Sequence, residues 1–110
     1  MSVSVHVIDC VYGKPAVGVP VRLACEIDRT WIEQWHDRTD EDGRAFIETI
    51  PIPAGSICRL EFSLDPYFAT LGARPFYPVA VIGLRLPNVT ASYHIGLLVT
   101  PNAYAVFKED

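Results

Sequence analysis

The sequence predicts an all-β sandwich of about eight short strands with one short helix. Several segments alternate apolar and polar residues with a period of two, which is typical of strands that lay one face on a core. Nine prolines and seven glycines among 110 residues supply frequent turns between these segments. Helix start and stop signals occur together in one segment alone. The length fits a single domain spanning residues 1–110.

The first predicted strand carries a histidine on its outer side. Val3, Val5 and Val7 alternate with more polar neighbours. They are therefore expected to face the core, which directs His6 to the opposite face. The segments that follow are a turn at 12–15 and β-prone runs at 19–27 and 30–37, the second of which has two mixed faces and cannot be oriented.

A hairpin turn at residues 39–44 delivers an arginine to the start of the next strand. Its Asp42-Gly43 pair favours the positive φ of tight hairpin turns. Arg44 follows at once, beside several carboxylates. Taken alone, Arg44 is best interpreted as a member of a surface ion pair, which would stabilise the fold little.

The one helical candidate covers residues 65–72. Asp65 suits the N-cap, Pro66 the first helical position and Gly72 the C-terminal stop. A helix of about two turns is unstable alone, so Tyr67 and Phe68 should pack on a sheet. Strands are predicted around it at 57–64, 79–86, 92–99 and 104–107.

A second histidine lies on the polar side of the strand at 92–99. His94 shares that side with Ser92 and Gly96, whereas Tyr93 and Ile95 belong to the apolar side. Such a histidine is either a solvated surface residue or part of a site, and in isolation the surface interpretation is favoured.

Composition excludes several classes of protein. A net charge of −4 without a basic stripe argues against nucleic-acid binding. No apolar run approaches the roughly 20 residues needed to span a bilayer, and the first residues lack a secretion signal, so a cytoplasmic location is expected. Cys10, Cys25 and Cys58 are widely spaced and form no C-x-x-C motif. Neither a metal site nor a disulfide framework is indicated, and buried free thiols are expected.

The order of the motifs resembles the transthyretin-like family, and in particular its enzymatic branch, the 5-hydroxyisourate hydrolases. The similarity runs from about Val3 to about Tyr104 and rests on the motifs in sequence. These are His6-Val7-Ile8-Asp9, Gly13-Lys14-Pro15-Ala16, Val19-Pro20-Val21-Arg22-Leu23, Thr39-Asp40-Glu41-Asp42-Gly43-Arg44, Tyr67-Phe68, Phe76-Tyr77-Pro78, Tyr93-His94-Ile95 and Thr100-Pro101.

This resemblance implies a two-sheet sandwich assembled as a homotetramer, a dimer of dimers, with active sites in a channel between the dimers. It implies hydrolytic opening of a cyclic amide in 5-hydroxyisourate, the unstable product of urate oxidation, without a metal or other cofactor. The family's two histidines and arginine correspond to His6, His94 and Arg44, which become the candidate catalytic residues. Imidazoles can move protons and a guanidinium can hold a carbonyl oxygen.

The tail departs from the enzymatic branch, which ends in Tyr-Arg-Gly-Ser. The aligned residues are Phe107, Lys108, Glu109 and Asp110, and Gly96 replaces a proline usual in the family's strand. Phe107, Lys108 and Asp110 are the candidate substrate-binding residues. Three functions follow: a hydroxyisourate hydrolase, a divergent paralogue using the same trio on another small heterocycle or carbonyl compound, and a non-catalytic carrier.

Overall fold

The computed structural model describes residues 2–48, 53–88 and 90–109, which contain nine strands and one helix. The strands are β1 (Ser2–Asp9), β2 (Lys14–Pro15), β3 (Pro20–Ile27), β4 (Thr30–Arg38), β5 (Arg44–Ile47), β6 (Ser56–Ser63), β7 (Val79–Leu86), β8 (Ser92–Thr100) and β9 (Ala103–Glu109). The helix α1 (Asp65–Ala69) lies between β6 and β7. The predicted all-β class is confirmed, and the small β2 forms within a segment predicted as a turn.

The strands form two sheets. The β1 sheet has the order β2-β1-β8-β9, and β5 pairs with another part of β1. The β3 sheet has the order β4-β3-β6-β7. β1 and β8 run parallel and in register from Ser2 opposite Ser92 to Asp9 opposite Val99, whereas the other pairings are antiparallel. The parallel pair joins segments far apart in the sequence at the centre of the β1 sheet.

The core is made by the alternate residues of both sheets. Val3, Val5 and Val7 of β1 are at most 1 % exposed, as the sequence predicted. Leu60 and Phe62 of β6 are fully buried in the same cluster. Each such side chain contributes about 1.5–3 kcal/mol by leaving water. Since strand residues alternate between faces, burying this set leaves the even-numbered residues of β1 on the outer face of the β1 sheet.

The helix is shorter than predicted. It ends at Ala69, and Leu64 occupies the N-cap position without a side-chain cap, so the assignment of Asp65 as the N-cap is wrong. Leu64 is 1 % exposed, which shows that burial of a side chain here outweighs capping chemistry. Tyr67 and Phe68 are buried, as expected for a single turn that depends on the sheet beneath it.

A buried carboxylate ties α1 to the end of β1. Asp9 is fully buried, and its Oδ2 accepts a hydrogen bond of 2.6 Å from the hydroxyl of Tyr67. Its Oδ1 accepts from the backbone N–H groups of Val11 and Tyr12 at 2.8 and 3.2 Å. Burial first, and then the hydrogen bond to Asp9 and its charge, raise the pKa of Tyr67 well above its ordinary value.

Stability should therefore fall at alkaline pH. The unfolded chain releases the Tyr67 proton above about pH 10, whereas the folded chain retains it. The unfolded state then binds fewer protons, so the free energy of unfolding decreases as pH rises.

Tyr67→Phe should flatten this decline. It should also lower the free energy of unfolding by about 1–3 kcal/mol at neutral pH, because Asp9 loses a hydrogen-bond donor. Urea unfolding across pH measures both effects. Tyr77→Phe, at an exposed tyrosine, is the control, and an equal slope in the two variants would contradict the assignment.

Two of the cysteines are paired. Cys25 and Cys58 are fully buried at directly opposed positions of β3 and β6, and they form a disulfide with Cα atoms 4.0 Å apart. Cys10 is free and exposed. The prediction of buried free thiols is therefore wrong for all three. The paired cysteines are 33 positions apart, and only the register of β3 against β6, which the spacing does not reveal, brings them together.

Candidate active site

Three strands of the β1 sheet bring the predicted catalytic residues to one face. On β1, His6 lies opposite Arg44 of β5 on one side and opposite Gly96 of β8 on the other. His94 precedes Gly96 by two residues on β8, so it points to the same outer face. Strand spacing and rise place the Cα atoms of the two histidines about 8 Å apart. A small ring could contact both imidazoles and the guanidinium at once.

The hairpin before β5 positions Arg44. Oδ1 of Asp40 accepts hydrogen bonds from the backbone N–H groups of Asp42 and Arg44, both at 2.9 Å. Gly43 has a φ of 73° and is buried, and a Cβ there would lie 2.6 Å from the carbonyl oxygen of Val7. Both conditions favour glycine. The turn is therefore fixed against β1, and Arg44 starts its strand beside His6.

His94 is held from the neighbouring strand. Its Nδ1 is hydrogen-bonded to the Ser4 hydroxyl, across the parallel β1–β8 pairing. Nδ1 is thereby occupied, and Nε2 is the ring nitrogen left to meet a ligand. On β9, Glu109 lies directly opposite His94. His94 thus has a hydroxyl on one side and a carboxylate position on the other.

An aromatic ring covers the glycine between the two histidines. Phe107 of β9 lies opposite Gly96, and a Cβ built on Gly96 would lie 2.2 Å from the ring's Cζ. The ring therefore occupies the space that a side chain at position 96 would need. Gly96 is buried although it belongs to the outer face, whereas Phe107 is 41 % exposed. Phe107 lies two strands from His6, with Gly96 between them, and part of its side chain is exposed.

The remaining tail residues are placed unequally. Lys108 alternates to the other face of β9, where it lies opposite Ile95. Asp110 lies outside the described residues. Glu109, which the sequence offered together with Asp110 as an acid/base group of the divergent paralogue, shares the outer face with Phe107. Strand parity alone indicates this, because residues 107 and 109 of one strand point to the same side.

Two further residues that the sequence did not single out complete the face. Ser4 contacts His94, and Phe46, which is 58 % exposed, lies opposite Ser4 on β5. The sequence could have indicated both, because residues two positions apart on a strand point to the same face. Ser4 is two positions from His6, and Phe46 is two positions from Arg44. The face combines imidazoles and a guanidinium with exposed aromatic rings, which suits a planar, polar ring.

A separate hollow of about 490 Å³ lies on the outer face of the β3 sheet, and Arg22, His36 and Glu61 are among its lining residues. Arg22 is already engaged there, at 3.5 Å from Glu33 and 3.1 Å from Glu61. His6, Arg44 and His94 lie on the other sheet. None of the trio lines this hollow, so the hollow does not mark the candidate site.

Comparison with known proteins places the chain in a family. The model of the HIUase/transthyretin family matches residues 3–109. The chain belongs to this family. Among its members, the 5-hydroxyisourate hydrolase of Caulobacter vibrioides is 35 % identical over 109 residues, covering 94 % of this chain and 93 % of that protein. The 5-hydroxyisourate hydrolase of Salmonella typhimurium is 30 % identical over 108 residues, covering 96 % and 78 %.

Solved structures of the family have the same fold. The 5-hydroxyisourate hydrolase of Klebsiella pneumoniae superposes with a TM-score of 0.84 over 100 % of both chains, at 23 % identity, which shows the fold alone. Sea bream transthyretin in complex with thyroxine gives 0.85 at 25 % identity, covering 97 % of this chain and 93 % of that one. The resemblance inferred from the motifs is therefore confirmed for family and fold.

Proposed function

We propose that this protein is a hydrolase that opens the cyclic amide of 5-hydroxyisourate without a cofactor. The observation that carries the proposal is the convergence of His6, Arg44 and His94 on one face of the β1 sheet. The relatives named as 5-hydroxyisourate hydrolases, at 30–35 % identity over most of their length, support the same reaction.

The geometry suggests how these groups divide the reaction. One imidazole accepts a proton from water while the water oxygen adds to the amide carbonyl carbon. Arg44 and the other imidazole donate hydrogen bonds to the oxygen that becomes negative. The proton then passes from the first imidazole to the ring nitrogen as the C–N bond breaks. All atoms and charges balance within the substrate, water and this set.

Phe107 is proposed to bind the substrate by stacking on its ring. Its side chain is partly exposed and lies over Gly96, which is itself opposite His6. Stacking is tolerant of ring chemistry, so Phe107 would position a heterocycle without defining it. The roles predicted for Lys108 and Asp110 stay predictions.

A homotetramer, built as a dimer of dimers, is proposed as the working form. In a single chain the candidate site is an open face with exposed Phe46 and Phe107 rings. Hydrolytic sites gain electrostatic strength when a wall excludes bulk water. A facing copy of the same sheet would supply that wall. β9 and β7 are the last strands of their sheets within the described residues, and their outer edges would suit pairing between copies.

A cytoplasmic location stays a prediction. No helix within residues 2–48, 53–88 and 90–109 is long and apolar enough to cross a membrane. The Cys25–Cys58 disulfide argues against a cytoplasmic location, because such bonds persist in oxidising compartments.

The decisive experiment follows the ultraviolet absorbance of freshly generated 5-hydroxyisourate. The enzyme should accelerate its disappearance in proportion to enzyme concentration. A rate equal to the spontaneous one, with folded protein, would refute the proposal.

One observation favours the divergent paralogue as a second candidate. Glu109 occupies the position opposite His94, where the enzymatic branch resembled by the motifs has glycine. Such a group would prefer a heterocycle that presents an N–H donor or positive charge there. Creatinine carries one such group more than 1-methylhydantoin does. Tighter binding of creatinine than of 1-methylhydantoin, with the difference lost in Glu109→Gln, would support the paralogue. A carrier role would instead require tight binding of an apolar aromatic ligand without turnover.

A further inference from the structure

We propose that Ser4 is a positioning residue that donates its hydroxyl hydrogen to Nδ1 of His94 and so fixes the Nε2–H tautomer. This inference rests on the proposed function, because it assigns separate tasks to the two histidines of that site. In this tautomer Nε2 is a hydrogen-bond donor, and it cannot take a proton from water. His6 is then the group that accepts the water proton, and His94 joins Arg44 in holding the carbonyl oxygen.

The contact between Ser4 and His94 is the first support. The two residues are directly paired in the parallel β1–β8 ladder, and the hydroxyl meets Nδ1 there. A neutral imidazole has one donor and one acceptor nitrogen, so the direction of this bond decides what Nε2 can do. If Ser4 donates, Nε2 carries the hydrogen. If Nδ1 donates, Nε2 is a base.

The neighbours of the pair indicate the direction. On the far side of Ser4 lies Phe46, whose side chain offers no acceptor that would compete for the serine hydrogen. On the far side of His94 lies Glu109, and directly opposed antiparallel residues have Cβ atoms about 4.5–5.5 Å apart. An ionised carboxylate only accepts hydrogen bonds. A residue with acceptor atoms therefore neighbours His94 in the sheet, and a hydrogen on Nε2 suits that neighbour better than a lone pair.

The tautomer can be read directly by a two-bond proton–nitrogen correlation spectrum of ¹⁵N-labelled protein at mildly alkaline pH. His94→Gln assigns the His94 signals by their loss. We expect the wild type to show Nε2–H and Ser4→Ala to lose this fixed pattern. An Nδ1–H pattern in the wild type, or an unchanged pattern in Ser4→Ala, would overturn the inference.

Kinetics separate positioning from a merely structural role. Ser4→Ala should lower kcat about tenfold, roughly the worth of one orienting hydrogen bond, with KM within about twofold. Ser2→Ala is the matched control, since Ser2 donates a 2.8 Å hydrogen bond to Ser92 between the same two strands, one step away on the same face. It should leave kcat unchanged.

A second pair of variants guards against misfolding. Ser4→Thr keeps the hydroxyl and Ser4→Val has nearly the same shape without it, and both β-branched residues suit a strand. Thr should retain the tautomer and most of kcat, whereas Val should lose both. Equal behaviour of Thr and Val would overturn the inference. The spectra need no turnover, so they decide the role of Ser4 even if hydroxyisourate proves not to be hydrolysed, which would refute the proposed function alone.

Discussion

Replacing His6 by glutamine is expected to lower kcat for 5-hydroxyisourate about a thousandfold. Glutamine can still form hydrogen bonds from the same position on β1, but it cannot accept the proton of the attacking water. Removing a positioned general base costs roughly 10²–10⁴-fold. KM should change little, because Arg44 and Phe107 still hold the ring. Absorbance kinetics with the spontaneous rate subtracted give both parameters.

His36→Gln provides the matched control for this variant. His36 lies on β4 of the other sheet, is largely exposed, and pairs with Glu33 at 3.1 Å. The same chemical change there should leave kcat as in the wild type. A His6→Gln variant with wild-type kcat would contradict the assignment of His6 as the base.

Replacing Gly96 by alanine is expected to raise KM about tenfold by displacing Phe107. The new Cβ would meet ring atoms at 2.2–2.7 Å. Because the Phe107 side chain is 41 % exposed, its ring can swing away from the sheet. The loss of stability should therefore be near the low end of the roughly 1–3 kcal/mol that overpacking costs. The displaced ring no longer lies over Gly96, where it is proposed to stack on the substrate. Aromatic stacking on a heterocycle contributes about 1–3 kcal/mol, which corresponds to a factor of roughly 5 to 150 and includes the tenfold change expected here.

A double-mutant cycle tests this coupling. Phe107→Ala should raise KM by a similar factor, and adding Gly96→Ala to it should have little further effect, since the ring is already gone. Steady-state kinetics of the four proteins measure the interaction. Additive effects on KM would show that Gly96 and Phe107 act separately and would contradict the proposed stacking.

The strands and the candidate trio of His6, Arg44 and His94 were accessible from the sequence because their signals are local. Alternation reveals which face of β1 carries His6, and a hairpin turn followed by Arg44 can be matched to a family by order. The orientation of β4 stayed open for a physical reason: it is the edge strand of the β3 sheet, and none of its residues is buried, so burial imposes no clear alternation.

What the sequence could not provide is the pairing of distant strands. The contact of Ser4 with His94, the position of Glu109 and the Cys25–Cys58 disulfide all depend on register between strands. A shift by one residue would move each side chain to the other face. Apolar patterning limits the register but does not identify which strands are neighbours, so these features emerged only from the three-dimensional arrangement.

The parallel pairing of β1 with β8 also has a consequence for how the protein folds. Ser4 and His94 are 90 positions apart, so the ladder between them closes a very long loop before it gains any contact energy. Pairings of this kind slow folding. During synthesis β1 emerges long before its partner, with an edge open to wrong neighbours. The candidate site is therefore complete only when the two histidine-bearing strands have met.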